Sequence, residues 1–251
     1  MEWPGNLPKT DLKKPGKINS LADLDSAIVK CRKCPRLVQW REEVALTKRK
    51  AYQDHDYWGR AVPGFGADNP KILIVGLAPG AHGANRTGRV FTGDSSGDWL
   101  YGSLHRVGLA KLSTSISRDD GQELKETRIT CAVHCAPPDN KPSNEERDTC
   151  ANWLQLELDL VLPTVRVFVV LGKFAFDALV KNLRVRGHQI PNATSGGSFG
   201  HGNTIKYEHE GVKFLLICSY HPSQQNTFTG KLTKPMLDSV LKKAGRFARV
   251  I

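Results

Sequence analysis

Four of the six cysteines are spaced as metal ligands often are. Cys31 and Cys34 form a C-x2-C pair, and fourteen residues separate Cys135 from Cys150. Four thiolates from three segments can meet at one point, which suits a tetrahedral zinc ion or a four-iron cluster, and the spacing does not choose between them. The alternative is that Cys135 and Cys150 are independent buried side chains, because a free cysteine packs as a small hydrophobic residue. Cys218, in an apolar stretch, is expected in the core.

A glycine-rich segment, GLAPGAHGANRTGRVFTGD (Gly76–Asp94), forms a second candidate site. It follows the apolar run Lys71–Leu77, which is typical of a buried strand. Ligands of open α/β sheets bind beyond the carboxyl ends of strands, so the segment predicts a pocket. Its spacing matches neither a phosphate loop nor the dinucleotide fingerprint, so the pocket is not predicted to bind ATP or NAD.

A histidine loop follows another apolar strand. His221 comes directly after the strand end Cys218–Tyr220 and is fixed by Pro222. The residues after it, Ser223–Thr227, carry amides and hydroxyls that can bond phosphates or base edges. A surface turn before a capped helix is the alternative. The presence of the glycine-rich segment in the same chain favours a ligand-binding histidine.

Apolar strands that alternate with helices must position these residues. This order predicts an α/β fold with a mainly parallel sheet covered on both faces. We expect one domain over residues 1–251, with residues 1–20 as an irregular lead-in. The predicted strands are Lys71–Leu77, Arg128–Val133, Val165–Leu171, Thr204–Tyr207 and Val212–Ser219. The predicted helices are Ser20–Val29, Leu37–Gln53, Ser95–Leu109, Ser143–Leu162, Gly172–Leu183 and Thr233–Arg249.

Composition narrows the class of partner. The formal net charge is +11 and the sequence pI is about 9.5, which favours a polyanionic partner such as nucleic acid over a merely basic surface. No apolar run is long enough to span a membrane, and the N-terminus lacks the apolar core of a signal peptide. We therefore expect a soluble monomer in the cytoplasm or nucleoid.

Three blocks give the chain a family resemblance. They are the segment Gly76–Asp94, CAVHCAPPDNKP (Cys131–Pro142) and HPSQQNTFTGKLT (His221–Thr233). With the spacing of the four cysteines, they resemble the type-b (family 5) iron–sulfur uracil-DNA glycosylases. The resemblance implies a three-layer α/β/α sandwich with a central four-stranded, mainly parallel sheet. It implies a [4Fe–4S] cluster, with structural zinc as the alternative, on Cys31, Cys34, Cys135 and Cys150.

The resemblance also implies an activity on DNA. Uracil, and with it hydroxymethyluracil, hypoxanthine and xanthine, would be flipped out of single- or double-stranded DNA and excised, leaving an abasic site. His221 would donate a hydrogen bond to O2 of the leaving base. Phe91 would stack on the base, unless it is a core residue. Backbone amides of Gly80, Ala81 and His82 would line the pocket. The expected DNA contacts are Arg86, Arg89, Ser223, Gln224, Gln225, Asn226, Thr229 and Lys231.

Leu77 departs from the pattern of some relatives, which carry an acidic residue at this position to activate water. The task would pass to Asn85 or Asp94, with His82 as a third candidate. An asparagine can position water although it is a poor base. Asp94 is equally expected to cap the helix that follows it.

Cys131 is a second departure, because related enzymes usually have asparagine there to read the uracil edge. A thiol is a weak donor and acceptor, so discrimination for uracil should fall by about 1–3 kcal/mol. The chain would then accept more bases, read uracil with backbone groups alone, or have a weakened or different role. We favour the first reading. The alternatives to a glycosylase are a non-catalytic, metal-stabilised nucleic-acid-binding protein and a zinc-stapled hydrolase of nucleotides.

Overall fold

A computed structural model describes residues 18–191 and 198–251 of the chain. The predicted lead-in therefore lies almost wholly outside the described residues. In the described part, eight helices surround one six-stranded sheet. The strands are β1 Phe65–Gly66, β2 Ile72–Gly76, β3 Thr127–Cys131, β4 Val167–Leu171, β5 Thr204–His209 and β6 Val212–Ser219. The helices are α1 Leu21–Val29, α2 Pro35–Thr47, α3 Ala84–Thr87, α4 Ser95–Arg106, α5 Asn144–Val161, α6 Lys173–Val185, α7 Gln224–Phe228 and α8 Lys234–Ala248.

The sheet has the order β1-β3-β2-β4-β6-β5. Its four central strands are parallel, as predicted, and their register aligns Ile72 with both Thr127 and Val167. The sheet is larger than the predicted four strands, because β1 and β5 add an antiparallel strand at each edge. Strand β5 reaches the sheet through a tight turn to β6, in which Gly211 has a φ of +76°.

Helices cover both faces of the sheet, which confirms the predicted three layers. Successive residues of a strand point to opposite faces. Leu73 and Val75 of β2 pack in one core with buried residues of α1, α5 and α6. Ile72 and Ile74 pack in the other core with buried residues of α4 and α8. The five residues of β2 are all buried, as a central strand covered on both faces requires.

Several helix boundaries follow from the capping residues that the sequence shows. Ser20 caps α1, and Ser143 and Glu146 form a capping box at the start of α5. Helix α2 is shorter than predicted: it ends at Thr47, before the left-handed Lys48 (φ +52°), and only a short 3-10 turn follows. No helix in the two described ranges is long and apolar enough to cross a membrane.

A buried ion network holds helix α1 on the sheet and on α5. Arg128 of β3 donates to Glu157 of α5 at 2.6 Å and to Asp25 of α1 at 2.8 Å. Both Arg128 and Glu157 are almost fully buried. Because α1 leads directly into the Cys31–Cys34 loop, this network fixes the helix from which the loop begins.

The carboxyl ends of the parallel strands meet at one edge of the sheet. Strands β2, β3 and β6 end there at Gly76, Cys131 and Ser219. The three blocks that carry the family resemblance follow these ends directly or overlap them. The fold therefore gathers them where open α/β sheets bind ligands.

Candidate active site and cysteine centre

A cavity of about 610 Å³ lies between the loops that follow β2, β3 and β6, within the size range of ligand sites. We call it the main pocket. It is lined by Leu77, Ala78, Gly80–Gly83, Phe91 and Asp94–Ser96 from the glycine-rich segment and the start of α4; by Asp139–Lys141 after β3; and by His221 and Ser223–Gln225 after β6. Most of the predicted base-binding residues are thus brought together with the predicted catalytic histidine.

Phe91 lies between the core and the main pocket. Its side chain is 7% exposed, and its ring lies 5.7 Å from the ring of His221 at an angle of 32°. Its φ of +51° is a strained conformation for an aromatic residue, of the kind that is kept at functional sites. A Cβ on Gly76 would come within 2.7 Å of the Phe91 ring, so glycine is required there. The two predicted roles of Phe91, core packing and base stacking, are therefore compatible.

His221 reaches the main pocket from the end of β6. Burial lowers its pKa to about 4, so the imidazole is neutral at neutral pH. The side-chain amide of Asn226 donates to the His221 carbonyl oxygen at 2.9 Å, which fixes the main chain of the loop. A neutral imidazole in this position still carries one N–H, which can donate a hydrogen bond to a developing anion.

Asp94 caps α4 and also lines the main pocket. One carboxylate oxygen, Oδ1, accepts a hydrogen bond from the backbone N–H of Gly97 at 3.0 Å. The other oxygen, Oδ2, lies against the glycine-rich loop: a Cβ on Gly83 would be 1.9 Å from it, and a Cβ on Gly80 would be 2.7 Å away. Burial raises the pKa of Asp94. The helix-capping role and a place in the pocket are thus both present in the structure.

Asn85 and His82 have different surroundings. The Asn85 amide is fully buried, donates to the Arg41 carbonyl oxygen at 3.1 Å and does not line the main pocket. This position does not support the predicted contact with a catalytic water. His82 does line the pocket, and its Nδ1 lies 2.9 Å from the Tyr57 hydroxyl. Burial, with the nearby cations Arg49 and Arg86, lowers the pKa of His82.

Arg86 and Arg89 are poor candidates for the predicted phosphate contacts, because protein groups already engage their guanidinium groups. Arg86 is 8% exposed and donates to the carbonyl oxygens of His82 and Gly93, each at 2.8 Å. Arg89 is 5% exposed and forms an ion pair with Asp120 at 2.5 Å. Both side chains hold the glycine-rich segment in shape, a role that charge and loop position alone do not reveal.

Cys131 lies behind the pocket wall and not in it. It is the last residue of β3, is 1% exposed and is absent from the pocket lining. Burial raises the pKa of its thiol far above the usual range. Its sulfur lies beside Gly76, whose other near neighbour is the Phe91 ring. This geometry does not support the expectation that Cys131 stands at the position that reads the edge of the base.

Sequence reasoning missed Asp139, Asn140 and Lys141, which line the main pocket from the loop after β3. Asp139 and Asn140 have φ angles of +52° and +55°, two adjacent left-handed residues that are not glycine. The polar Asp-Asn pair after two prolines, inside the second resemblance block, is the signal that could have found them.

The polar loop after His221 is arranged around α7. Ser223 caps this short helix, and Gln224 and Gln225 line the main pocket. Further along, Thr229 and Lys231 are exposed, and the Lys231 ammonium lies 4.9 Å from the centre of the Tyr220 ring. Phe228 is 78% exposed, so an apolar side chain stands in solvent close to the polar DNA-contact candidates.

The four predicted ligand cysteines line one small cavity, which we call the cysteine centre. None of the six cysteines, all within the described residues, forms a disulfide. Hydrogen-bond donors face three of the ligand sulfurs. Arg41 Nη1 lies 2.9 Å from Cys135 Sγ, Trp153 Nε1 lies 3.3 Å from Cys31 Sγ, and the His134 backbone N–H lies 3.4 Å from Cys150 Sγ. Cys218 is fully buried in β6, as predicted for a core residue.

Comparisons with known proteins point to one family. A family model described as the uracil DNA glycosylase superfamily matches residues 63–245. A type-5 uracil-DNA glycosylase of Mycobacterium leprae is 49% identical over 235 residues, covering 94% of this chain and 99% of the relative. The type-5 enzyme of Thermus thermophilus is 50% identical, with coverage of 87% and 94%. A type-4 uracil-DNA glycosylase of Pyrobaculum aerophilum is 27% identical, with coverage of 89% and 90%.

The family match spans the parallel strands, the main pocket and most of α8. The similarity to the type-5 relatives is about twice that to the type-4 relative and extends over nearly their whole length. The chain belongs to the uracil DNA glycosylase superfamily, in the group of the type-5 uracil-DNA glycosylases.

Proposed function

We propose that this chain is a monofunctional DNA repair glycosylase that excises uracil from DNA and leaves an abasic site. One observation carries the proposal: His221, whose partial burial lowers its pKa and keeps the ring neutral, lies against the strained Phe91 in the main pocket. The enzyme would act as a monomer on single- or double-stranded DNA that contains deaminated bases.

Cleavage of the N-glycosyl bond places negative charge on the leaving base and positive charge on the sugar. The His221 ring would donate a hydrogen bond to O2 of the flipped base as that charge develops. The Phe91 ring would stack on the base, which contributes about 1–3 kcal/mol. Backbone amides of Gly80–His82, which line the same cavity, would bond the base edge.

Asp94 is our preferred residue for positioning the attacking water. Its carboxylate lines the main pocket, whereas the Asn85 amide is buried away from it. His82 is the second candidate, since it lines the pocket as well. A strong base is not required, because the sugar in the transition state already resembles an oxocarbenium ion.

We extend the proposal to hydroxymethyluracil, hypoxanthine and xanthine. The buried thiol of Cys131 offers the base no strong donor or acceptor. The loop Asp139–Lys141 then becomes the wall with polar side chains that could face the base edge. A pocket that relies on backbone groups and an exposed loop would discriminate among deaminated bases less sharply.

We propose that Cys31, Cys34, Cys135 and Cys150 hold a [4Fe–4S] cluster. Their convergence on one cavity and the donors aimed at three sulfurs fit such a group. When bound, the cluster would supply a structural cross-link between the N-terminal loop, the β3–α5 loop and α5.

The test is excision from single- and double-stranded oligonucleotides that carry one uracil, hydroxymethyluracil, hypoxanthine or xanthine. After incubation, alkali converts abasic sites to strand breaks, and an undamaged oligonucleotide serves as control. We expect breaks at uracil and at least one other base. Absence of breaks with every substrate, combined with retained DNA binding, would instead establish the non-catalytic alternative.

A further inference from the structure

Arg41 is a buried cation beside the cysteine centre. It lies on α2 and is 2% exposed. Its guanidinium donates to Cys135 Sγ at 2.9 Å and to the main-chain oxygen of Cys31 at 3.0 Å. Among the described residues, Glu42 supplies the one carboxylate within the 4.0 Å limit of an ion pair, at 3.9 Å, and that side chain is partly exposed.

A buried guanidinium is costly unless negative charge lies next to it. The weak pair with Glu42 does not meet this need, since that carboxylate can be solvated. Of the two groups to which the Arg41 guanidinium donates, the Cys135 sulfur is the one that can carry a negative charge. A sulfur that carries charge as a bound thiolate would satisfy the cation, whereas a neutral thiol would not.

The main chain of Arg41 contacts the glycine-rich loop. Its carbonyl oxygen accepts from the Asn85 side-chain amide at 3.1 Å. The backbone N–H of Asn85 in turn donates to the Gly80 carbonyl oxygen at 3.0 Å, and Gly80 lines the main pocket. Two hydrogen bonds therefore connect the residue that touches the cysteine centre with the wall of the main pocket.

We propose that Arg41 is a positioning residue that neutralises the charge of the cysteine centre and, through Asn85, holds the pocket loop Gly80–Asn85. The inference rests on the proposed cluster, because bound thiolates supply the charge that keeps the guanidinium buried. Without that charge the guanidinium is driven toward solvent, and the Arg41 carbonyl moves with α2. Order in the main pocket then depends on a loaded cysteine centre, although that centre takes no part in the proposed excision of the base.

The experiment compares Arg41→Gln with Arg32→Gln in the iron-loaded protein. Arg32 is the matched control because it lies in the cysteine loop and also pairs with Glu42, but its side chain is exposed. Iron loss to a chelator is followed by visible absorbance, and amide hydrogen exchange is measured over residues 80–85. We expect Arg41→Gln to lose iron about 10–100-fold faster than the wild type and to exchange faster over residues 80–85, while Arg32→Gln matches the wild type.

Asn85→Ala separates the two halves of the proposal. It removes the hydrogen bond to the Arg41 carbonyl and leaves the guanidinium in place. We expect faster exchange over residues 80–85 with an unchanged rate of iron loss. Unchanged exchange in this variant, or iron loss from Arg41→Gln at the wild-type rate, would overturn the proposal.

If Arg41→Gln does not fold, Arg41→Lys tests the role of the guanidinium in its place. It keeps the positive charge but replaces the planar fork, whose two nitrogens bond Cys135 Sγ and the Cys31 oxygen, with a single ammonium nitrogen. We therefore expect iron loss faster than in the wild type, and a wild-type rate refutes the inference. Iron and sulfide analysis of the wild type tests the cluster separately. An inactive glycosylase with normal iron would refute the proposed activity and leave the Arg41 measurements valid.

Discussion

At the scale of single residues, His221 carries the proposed chemistry because its neutral ring faces the main pocket. We expect His221→Ala to lower the single-turnover rate of uracil excision by about 10²–10³-fold, since it removes one donor to the developing anion. Binding to uracil-containing DNA, measured by fluorescence anisotropy, should change by only a few fold. The exposed His105, outside the pocket, gives a control: His105→Ala should match the wild type. A loss of affinity equal to the loss of rate would make His221 a binding residue.

The low pKa of His221 also has consequences for pH dependence. The ring of the folded protein gains a proton near pH 4, whereas an unfolded histidine does so near its ordinary value of 6.5. Between these values the unfolded state binds more protons, so this group lowers stability as the pH falls from 6.5 toward 4 and has no effect above 6.5. We expect the excision rate to show no His221 titration between about pH 5.5 and 8. A change of slope near pH 6.5 in the plot of excision rate against pH, absent from His221→Asn, would contradict a lowered pKa of His221.

Asn140 lines the main pocket but was not among the base-binding residues expected from the sequence. Its left-handed main chain presents it to the main pocket, where an amide can read a base edge with both atoms. We expect Asn140→Ala to reduce discrimination between uracil and hypoxanthine by about 5–150-fold, the equivalent of about 1–3 kcal/mol. Asn144→Ala, on an exposed residue at the start of α5, is the control. Equal losses of rate for both bases would assign Asn140 to the reaction and not to base choice.

At the scale of elements, the contact between Asp94 and the glycine-rich loop joins α4 to the main pocket. A Cβ on Gly83 would collide with the Asp94 carboxylate at 1.9 Å. We expect Gly83→Ala to displace the helix cap and lower the free energy of unfolding by about 1–3 kcal/mol, with a loss of excision rate. In Gly102→Ala, inside α4, the nearest contact is a flexible arginine end at 3.3 Å, so this control should be neutral or stabilising. Denaturant unfolding checks both; a Gly83→Ala protein as stable as the wild type would contradict the steric account.

Elements with strong local signals were predictable from sequence, and short or tertiary features were not. Ser143 and Glu146 form a capping box that predicts the start of α5. Every residue of β4, Val167–Leu171, is apolar, which predicts a buried strand. Strand β1 has two residues, too few for any periodicity to appear. The burial of Arg89 depends on Asp120, which is distant in sequence. The predicted strand Arg128–Val133 contains Cys131, but only the structure shows that this residue ends β3 and lies outside the pocket lining.

At the scale of the whole molecule, the net charge of +11 should dominate association with DNA. We expect affinity to fall steeply with salt, and Lys231→Gln to reduce the slope of log K against log salt by about 1. Lys71 provides the control, because it lies just before β2, at the opposite end of the strand from the main pocket, and pairs with Glu126 at 2.7 Å. Lys71→Gln should leave the slope unchanged. Equal slopes for Lys231→Gln and the wild type would remove Lys231 from the DNA contacts.

The most direct test of the account is detection of the released base. Iron-loaded protein is incubated with a duplex that contains one uracil, and free base and DNA backbone are analysed separately, beside His221→Ala and a duplex with thymine in place of uracil. The account predicts free uracil in amounts equal to the abasic sites, an intact backbone until alkali is added, and a rate about 10²–10³-fold lower for His221→Ala. Uracil that stays attached to DNA, or release at the same rate by His221→Ala, would contradict it.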